Sequence, residues 1–249
     1  MTAIFLSDVH LRDNDSVKTR LVLRFLQEVA SRFDRIYILG DLFDVWPGST
    51  PYLEKSFRPI TDVLKSLATE GRQVHYVEGN HDFRLGRFFS ESLGIQVHPD
   101  GLTETFNGRR TFLAHGDLGN PKEWGYRLLR KLLRSEWLHF GLKAVPGEWV
   151  YRLGNRTSRM SHGYQMANPH RKAIEERVRQ IYRRSAEDLF ARGYDVVIMG
   201  HTHVPDDFSS TVEGRQCRYI NTGDWVRNFT YLEFDGSDFY TKSHPVKDL

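Results

Sequence analysis

The 249-residue sequence has a single cysteine and no long hydrophobic run. Cys217 has no partner for an intramolecular disulfide, which is typical of proteins kept in a reducing compartment. No apolar stretch approaches the roughly 20 residues that a membrane-spanning helix needs. The opening residues MTAIFLSDVH have no basic region before their short apolar stretch, so they predict a β-strand and not a signal peptide. We therefore expect a cytoplasmic protein.

The net charge of +3 is small, but it is unevenly distributed along the chain. Residues 119–192 contain 16 Lys and Arg against seven Asp and Glu, a local charge of +9, which leaves −6 for the remainder. A basic segment favours an anionic partner, and an acidic remainder favours bound cations. Nucleic acid is not the partner we expect, because the positive charge is confined to one segment.

The basic segment also differs from the rest of the chain in its pattern. It contains three of the five Trp residues and two helical patterns, WGYRLLRKLLRSEWLHF and HRKAIEERVRQIYRRSAEDLFAR. We predict a basic amphipathic helical insertion, a lid, over residues 119–192, and a core formed by residues 1–118 and 193–249. The alternative is a set of ordinary amphipathic helices that pack on the core and expose their Arg residues.

The first third of the chain alternates strand and helix patterns. TAIFLS, RIYILG and QVHYVEG predict strands, and helices are predicted from about Ser16 and near residues 53–69. This βαβαβ order predicts parallel strands with crossover helices. RRTFLAHGD and YDVVIMGHTH add two later strands that end in Gly, His and Asp or Thr. The sequence therefore predicts an α/β fold.

Short motifs of Asp, Asn and His follow five of these strands. They are SDVH (7–10), GDLFD (40–44), GNHD (79–82), HGD (115–117) and GHTH (200–203). One such motif alone is usually a polar turn. Ligand sites in open α/β sheets form beyond the carboxyl ends of the strands, so five motifs there should converge. Carboxylates, amide oxygens and imidazoles are ligands for divalent metals.

The spacing within the motifs suggests how two metals could be held. Asp41 is the natural bridging ligand, because a carboxylate offers two oxygens. Asp8 and His10 alternate along an extended stretch, so both reach one metal only if the backbone turns there. His201 and His203 are also two residues apart and could serve one metal each.

In this order, D-x-H, G-D-x-x-D, G-N-H-D, a later His and G-H-x-H resemble the calcineurin-like metallophosphoesterases. The resemblance implies a four-layer αββα sandwich with a two-metal site. One metal would be bound by Asp8, His10, Asp41 and His203. The other would be bound by Asp41, Asn80, His115 and His201. We expect Mn²⁺, with Fe²⁺ and Zn²⁺ as alternatives of similar ligand preference.

Within that family, DVHL, GDLFDVW, GNHDFRLG and the helical insertion before GHTHVP resemble the UDP-2,3-diacylglucosamine hydrolases of lipid A biosynthesis. The resemblance implies pyrophosphate hydrolysis of a UDP-linked acylated sugar to UMP and a lipid sugar 1-phosphate. The insertion would then shelter the acyl chains. Substrate contacts are predicted for His81, Asn155, Arg156, Ser158 and Arg159.

His81 stands where these enzymes usually carry Arg, and it is our candidate for a catalytic group. Its ring could hydrogen-bond a phosphoryl oxygen or protonate the leaving oxygen. Asp82 is predicted to orient that ring and Asp44 to support a metal ligand, although either could simply cap its loop.

Other functions remain open from the sequence. A different phosphomonoester, phosphodiester or nucleotide is an alternative substrate, and the His of GNHD favours it. A catalytically silent binding module is less favoured, because every metal-ligand motif is intact. The basic insertion is compatible with peripheral contact with the cytoplasmic face of the inner membrane. No obligate protein partner is inferred.

Overall fold

The computed structural model describes residues 1–13, 16–137, 140, 145–155 and 171–245. Its strands are β1 (Ala3–Leu6), β2 (Arg35–Leu39), β3 (Gln73–Val77), β4 (Gln96–His98), β5 (Leu102–Phe106), β6 (Arg109–Leu113), β7 (Val196–Met199), β8 (Asp206–Val212), β9 (Arg215–Asn221), β10 (Thr230–Phe234) and β11 (Phe239–Ser243). Its α-helices include α1 (Ser16–Glu28), α2 (Pro51–Ser56), α3 (Arg58–Thr69), α4 (Trp124–Leu133), α5 (residues 147–155) and α6 (Arg171–Ala191).

The strands form two mixed sheets. The first has the order β11-β10-β1-β2-β3-β4, in which β1 to β4 run parallel, as the βαβαβ pattern predicts. The second has the order β5-β6-β7-β9-β8, in which β6, β7 and β9 run parallel. In each sheet, three parallel strands therefore have their carboxyl ends at the same edge. They are β1, β2 and β3 in the first sheet and β6, β7 and β9 in the second.

Three apolar clusters hold the layers together. Phe5, Leu39 and Phe106 belong to the cluster between the sheets, where they are fully buried. On the outer face of the first sheet, α1 and α3 bury residues such as Phe25 and Leu64. Fully burying one such side chain stabilises the fold by about 1.5–3 kcal/mol. The αββα layering predicted from the family resemblance is confirmed.

The helix expected near residues 53–69 is divided in the structure. α2 ends at Ser56 and α3 begins at Arg58, with Phe57 between them. Pro59 lies in the first turn of α3, where its missing N–H costs nothing. The prediction of a single helix was therefore wrong, because Pro59 has no N–H with which to continue α2 and lies instead in the first turn of a new helix. The predicted stop at Gly71 is confirmed by its positive φ of 90°.

The basic segment contributes α4, α5 and α6. The C-terminal half of α6 packs on the second sheet, where Tyr182, Ala186 and Phe190 are buried. α4 buries none of its residues. The assignment of residues 119–192 to one lid stays a prediction. Within the described ranges, no helix is long and apolar enough to cross a membrane.

Candidate metal centre

The predicted ligands come together where the two sheets meet at their carboxyl ends. The loops after β1, β2 and β3 approach the loops after β6 and β7. His115, from the second sheet, places its Nδ1 2.8 Å from the carbonyl oxygen of Leu39 at the end of β2. The motif histidines and carboxylates of both sheets therefore border one site.

Five of the seven predicted ligands have a left-handed backbone. Their φ values are 54° for Asp8, 52° for His10, 56° for Asp41, 68° for His201 and 59° for His203. Such a conformation costs a non-glycine residue on the order of 1–3 kcal/mol and clusters at functional sites. It supplies the turn that Asp8 and His10 need to face one metal.

Backbone hydrogen bonds between loops stabilise these turns. The Asp8 amide donates to the Gly40 carbonyl at 3.1 Å, and the His10 amide donates to the Asp41 carbonyl at 2.9 Å. Two glycines permit the close approach. A Cβ on Gly79 would overlap the Asp41 carboxylate, and one on Gly200 would overlap Ser7.

The first cluster surrounds one oxygen of Asp8. Oδ1 of Asp8 lies 3.5 Å from His203 Nε2 and 4.0 Å from His10 Nε2. His10 Nε2 is in turn 3.7 Å from Asp41 Oδ2. Asp8, His10 and Asp41 are almost fully buried, so these polar atoms are withdrawn from water.

The second cluster surrounds the side-chain oxygen of Asn80. This oxygen lies 2.9 Å from His115 Nε2 and 2.9 Å from His201 Nδ1. His115 Nε2 is 3.4 Å from Asp41 Oδ2. Asp41 Oδ2 thus borders both clusters, while its Oδ1 accepts the His81 amide at 2.9 Å. This arrangement suits Asp41 as the shared ligand.

The donor set fits divalent cations. Asp8, His10 and His203 form one group of converging ligand atoms, and Asp8, Asp41 and His115 form another. Asp8 Oδ1 is buried and accepts no hydrogen bond from the described residues. A buried carboxylate oxygen without a donor is costly unless a cation compensates it.

Each of three imidazoles is oriented by a partner on its outer nitrogen. His115 Nδ1 donates to Leu39 O, and His10 Nδ1 lies 3.2 Å from Asp44 Oδ1, as we expected of Asp44. His203 Nδ1 lies 3.4 Å from Asp224 Oδ2. Such contacts fix the tautomer and leave the other nitrogen for the metal.

Asp224 is a residue of the site that the sequence interpretation missed. It is fully buried, and its Oδ1 also accepts the amides of Val226, Arg227 and Asn228 at 2.7–3.0 Å. Asp224 follows β9, which runs parallel to β7, so it belongs to a sixth strand end. The stretch NTGDW contains Gly and Asp like the other motifs, but only the parallel pairing of β9 with β7 identifies it as a strand end on the same side.

The protonation states of His10, His201 and Asp41 favour metal ligation. Burial lowers the pKa of His10 and of His201 to about 3, so both rings are neutral at pH 7 and offer a lone pair. Burial opposes the charge of Asp41, but His115 and His81 hold the Asp41 pKa well below its usual range. Burial alone would lower the pKa of His115, but the ion pairing with Asp41 raises it to about 10. A metal would take the place of that proton.

His81 lies at the rim of the first cluster. Its ring is edge-on to His10, with centroids 4.8 Å apart, and its Nδ1 is 2.9 Å from the Asp44 carbonyl oxygen. Because a carbonyl oxygen only accepts, Nδ1 carries the hydrogen. The ring is partly exposed.

The role predicted for Asp82 needs correction. Its carboxylate accepts the amides of Asp41, Phe43 and Gly79 and the hydroxyl of Tyr76, at 2.5–3.1 Å. Asp44, through its carbonyl, makes the contact to the His81 ring that we assigned to Asp82. Asp82 is thus placed to position the metal loops, because a buried carboxylate attracts several amides at once.

The predicted lid contacts are only partly described. Asn155 is the last described residue of α5 and lies next to Gly154, which packs against Val45 of the loop after β2. Asn155 Oδ1 is buried and accepts no hydrogen bond from the described residues. Arg156, Ser158 and Arg159 lie outside the described residues.

Comparisons with known proteins agree with this geometry. The profile of the calcineurin-like phosphoesterase family matches residues 1–205. The chain is 33% identical to a UDP-2,3-diacylglucosamine hydrolase of Stenotrophomonas maltophilia over 94% of this chain and 95% of that protein. It is 32% identical to one of Azotobacter vinelandii over 99% and 100% of the two chains.

Among solved structures, a dimetal phosphatase from Danio rerio is 16% identical and superposes with a TM-score of 0.45, over 97% of this chain and 95% of that one. The family profile covers all the predicted metal-ligand motifs, from Asp8 to His203. The protein therefore belongs to the calcineurin-like phosphoesterase family.

Proposed function

We propose that this protein hydrolyses the pyrophosphate bond of UDP-2,3-diacylglucosamine or a close analogue, releasing UMP and a lipid sugar 1-phosphate. The observation that carries the proposal is the pair of ligand clusters that share Asp41 Oδ2. The near full-length similarity to proteins named for this substrate supports the choice among phosphate compounds.

The proposed cofactor is a pair of divalent ions, with Mn²⁺ as our choice over Fe²⁺ or Zn²⁺. One would be held by Asp8, His10, Asp41 and His203, and the other by Asp41, Asn80, His115 and His201. When bound, such ions polarise phosphoryl oxygens and lower the pKa of a water. The chain's own part is to hold the seven ligands in place, five of them with a left-handed backbone, so that little reorganisation is needed.

His81 is the proposed catalytic residue of the chain. With its Nδ1 hydrogen directed to the Asp44 carbonyl, Nε2 is the ring nitrogen proposed to contact the substrate. In the imidazolium form, Nε2–H can donate to a phosphoryl oxygen or pass a proton to the leaving oxygen. A positioned acid of this kind typically contributes ~10²–10⁴-fold to the rate.

The lid is the proposed site of lipid recognition. α4 exposes an apolar stripe in which Trp124 is 76%, Leu128 63% and Leu132 59% accessible. A groove of about 1650 Å³ runs beside α4, and Leu85, Phe88 and Leu118 line it together with many charged side chains, among them Arg127 and Arg130. Acyl chains would cover such surfaces, and the same stripe suits peripheral contact with the inner membrane.

The test is UMP release from UDP-2,3-diacylglucosamine with added Mn²⁺, beside bis(p-nitrophenyl) phosphate as a generic phosphodiester. The proposal predicts rapid release of UMP and slow cleavage of the generic substrate. Rapid cleavage of the generic substrate with no UMP release would overturn the substrate assignment and favour another phosphoesterase. If an Asp41→Asn variant kept both activities, the assignment of the metal site itself would be overturned.

A further inference from the structure

Helix α4 is attached to the core through its polar face. The hydroxyl of Tyr126 and Nε of Arg130 both donate to Asp117 Oδ2, at 2.6 and 2.8 Å. Arg134, at the end of the helix, donates from Nη1 to Glu78 Oε2 at 2.7 Å. These three residues are four apart and therefore lie on one side of the helix. The apolar stripe faces away, so charged contacts and not apolar burial hold α4 in place.

Arg134 contacts several segments of the core at once. Besides Glu78, it donates to the carbonyl oxygens of Gly79 at 3.0 Å and Pro99 at 3.1 Å, and its guanidinium lies 5.5 Å from the centre of the Phe83 ring. Its side chain is only 15% exposed and that of Glu78 only 6%. One planar guanidinium thus holds both the side chain and the backbone of the loop after β3, a geometry that Lys cannot reproduce.

The same loop reaches back to α4 through Arg84. Arg84 donates to the carbonyl oxygen of Arg134 at 2.7 Å and to Glu136 Oε1 at 2.7 Å. Glu78 closes the loop on itself, since its Oε1 accepts the amide of Leu85 at 2.9 Å. Residues 78–85 and the C-terminal end of α4 are therefore joined in both directions.

Asn80 lies inside this joined segment, directly after Gly79. Its side-chain oxygen is the centre of the second ligand cluster, 2.9 Å from each of two imidazole nitrogens. A displacement of the Gly79–Asn80 peptide would move that oxygen away from His115 and His201. The position of the loop thus sets the position of a predicted ligand.

We propose that Arg134 and Arg84 form a reciprocal clasp between α4 and residues 78–85, and that this clasp positions Asn80 for metal binding. Arg134 and Arg84 are positioning residues, because they act on the metal site through the backbone of the loop. The clasp couples the position of α4 on the core to the affinity for the metal that Asn80 would bind. It rests on the proposed metal centre but not on the identity of the substrate.

The experiment is a titration of the metal-free full-length protein with Co²⁺, followed by visible absorption, together with hydrogen–deuterium exchange. The variants Arg134→Gln and Arg84→Gln are compared with the control Lys122→Gln. Lys122 is exposed and lies just before α4, and its substitution removes the same charge. We expect Arg134→Gln to weaken Co²⁺ binding at the site that contains Asn80 by about 10–100-fold, as for other groups that orient metal ligands. Arg84→Gln should do so less, and Lys122→Gln should not.

Exchange distinguishes positioning from simple attachment. We expect amides of residues 79–84 and of α4 to exchange faster in Arg134→Gln, and Arg134→Lys to restore only part of the Co²⁺ affinity. Wild-type affinity and wild-type loop exchange in Arg134→Gln, with only α4 loosened, would overturn the proposal. If Arg134→Gln does not fold, the same criteria are applied to Arg134→Lys.

Because no substrate is present, the titration is independent of UMP release. Weakened Co²⁺ binding in a protein that never releases UMP would support the clasp and reject the proposed substrate. Unchanged Co²⁺ binding in a protein that does release UMP would reject the clasp and leave the proposed function standing.

Discussion

The strand-end loops and helix α4 are neighbours that are held by different forces. The loops bury their polar groups almost completely, and Asp8, Asp41 and Asp82 are at most 1% exposed. α4 buries none of its residues and is attached through polar side chains that include Tyr126, Arg130 and Arg134. The first region resists rearrangement, because each buried charge has several partners. The second can change its outer face without disturbing the fold.

This difference separates chemistry from choice of substrate. Substitutions in the loops should change the rate on every phosphoester that the protein accepts. Substitutions on the outer stripe of α4 should change only the recognition of an acylated substrate. The predictions below test that division.

The largest effect is expected from Asp41→Asn. Removing the shared negative charge should lower kcat by at least ~10³-fold on both UDP-2,3-diacylglucosamine and a generic diester. Kinetics and metal analysis of the purified variant would check this, with fewer than two metals expected per chain. Asp62→Asn, on the exposed face of α3, is the matched control. A substrate-selective loss would contradict the division.

His81→Ala should lower kcat by about 10²-fold and leave the metal content unchanged. The reason is that Asn80, not His81, completes the second cluster. Steady-state rates at saturating Mn²⁺ would measure the effect, and His81→Arg should recover part of the rate on the UDP substrate. Normal kcat in the alanine variant would remove the catalytic role.

Asp224→Asn should act through metal affinity. The amide oxygen can still cap the turn, but the charge opposite His203 is lost, so we expect about 10–100-fold weaker metal binding. Excess Mn²⁺ should restore activity. Asp235→Asn is the control, because Asp235 also caps backbone amides in a turn but lies in the hairpin between β10 and β11. A loss that Mn²⁺ cannot rescue would point to the fold instead.

The smallest and most selective effect is expected on α4. Leu128→Ser should raise KM for the diacylated substrate by about tenfold, the order expected for one lost apolar contact, and leave the generic diester unaffected. Stability should not change, because Leu128 is exposed. Tyr240→Ser, at an exposed position on β11, is the control. An equal effect on both substrates would show that α4 serves the chemistry as well.

Much of the core could be predicted because its signals are local and repeated. The first three strands, their parallel order and the polar motifs after them follow from short-range pattern, and the structure brings all seven predicted ligands together. Asp224 escaped prediction because its value depends on β9 lying parallel to β7, a pairing that no local pattern reveals.

The attachment of α4 could not be predicted for a different reason. An apolar stripe on a helix is expected to face the core, whereas α4 turns Leu128 and Leu132 outward. What holds the helix is a set of acceptors from distant segments, among them Glu78 and Asp117. Arg84, which has no evident role in the sequence, gains one only through its contact with the end of α4.

The central claim is that two ligand clusters sharing Asp41 form one two-metal catalytic centre. The most direct measurement is a Mn²⁺ titration of the metal-free protein in which bound metal and UMP release are followed together. We predict that each chain binds two equivalents of Mn²⁺ and that activity appears as the second one binds. The Asp41→Asn variant should show neither the second equivalent nor the activity. Full activity with one equivalent or none, or two equivalents retained by Asp41→Asn, would contradict the account.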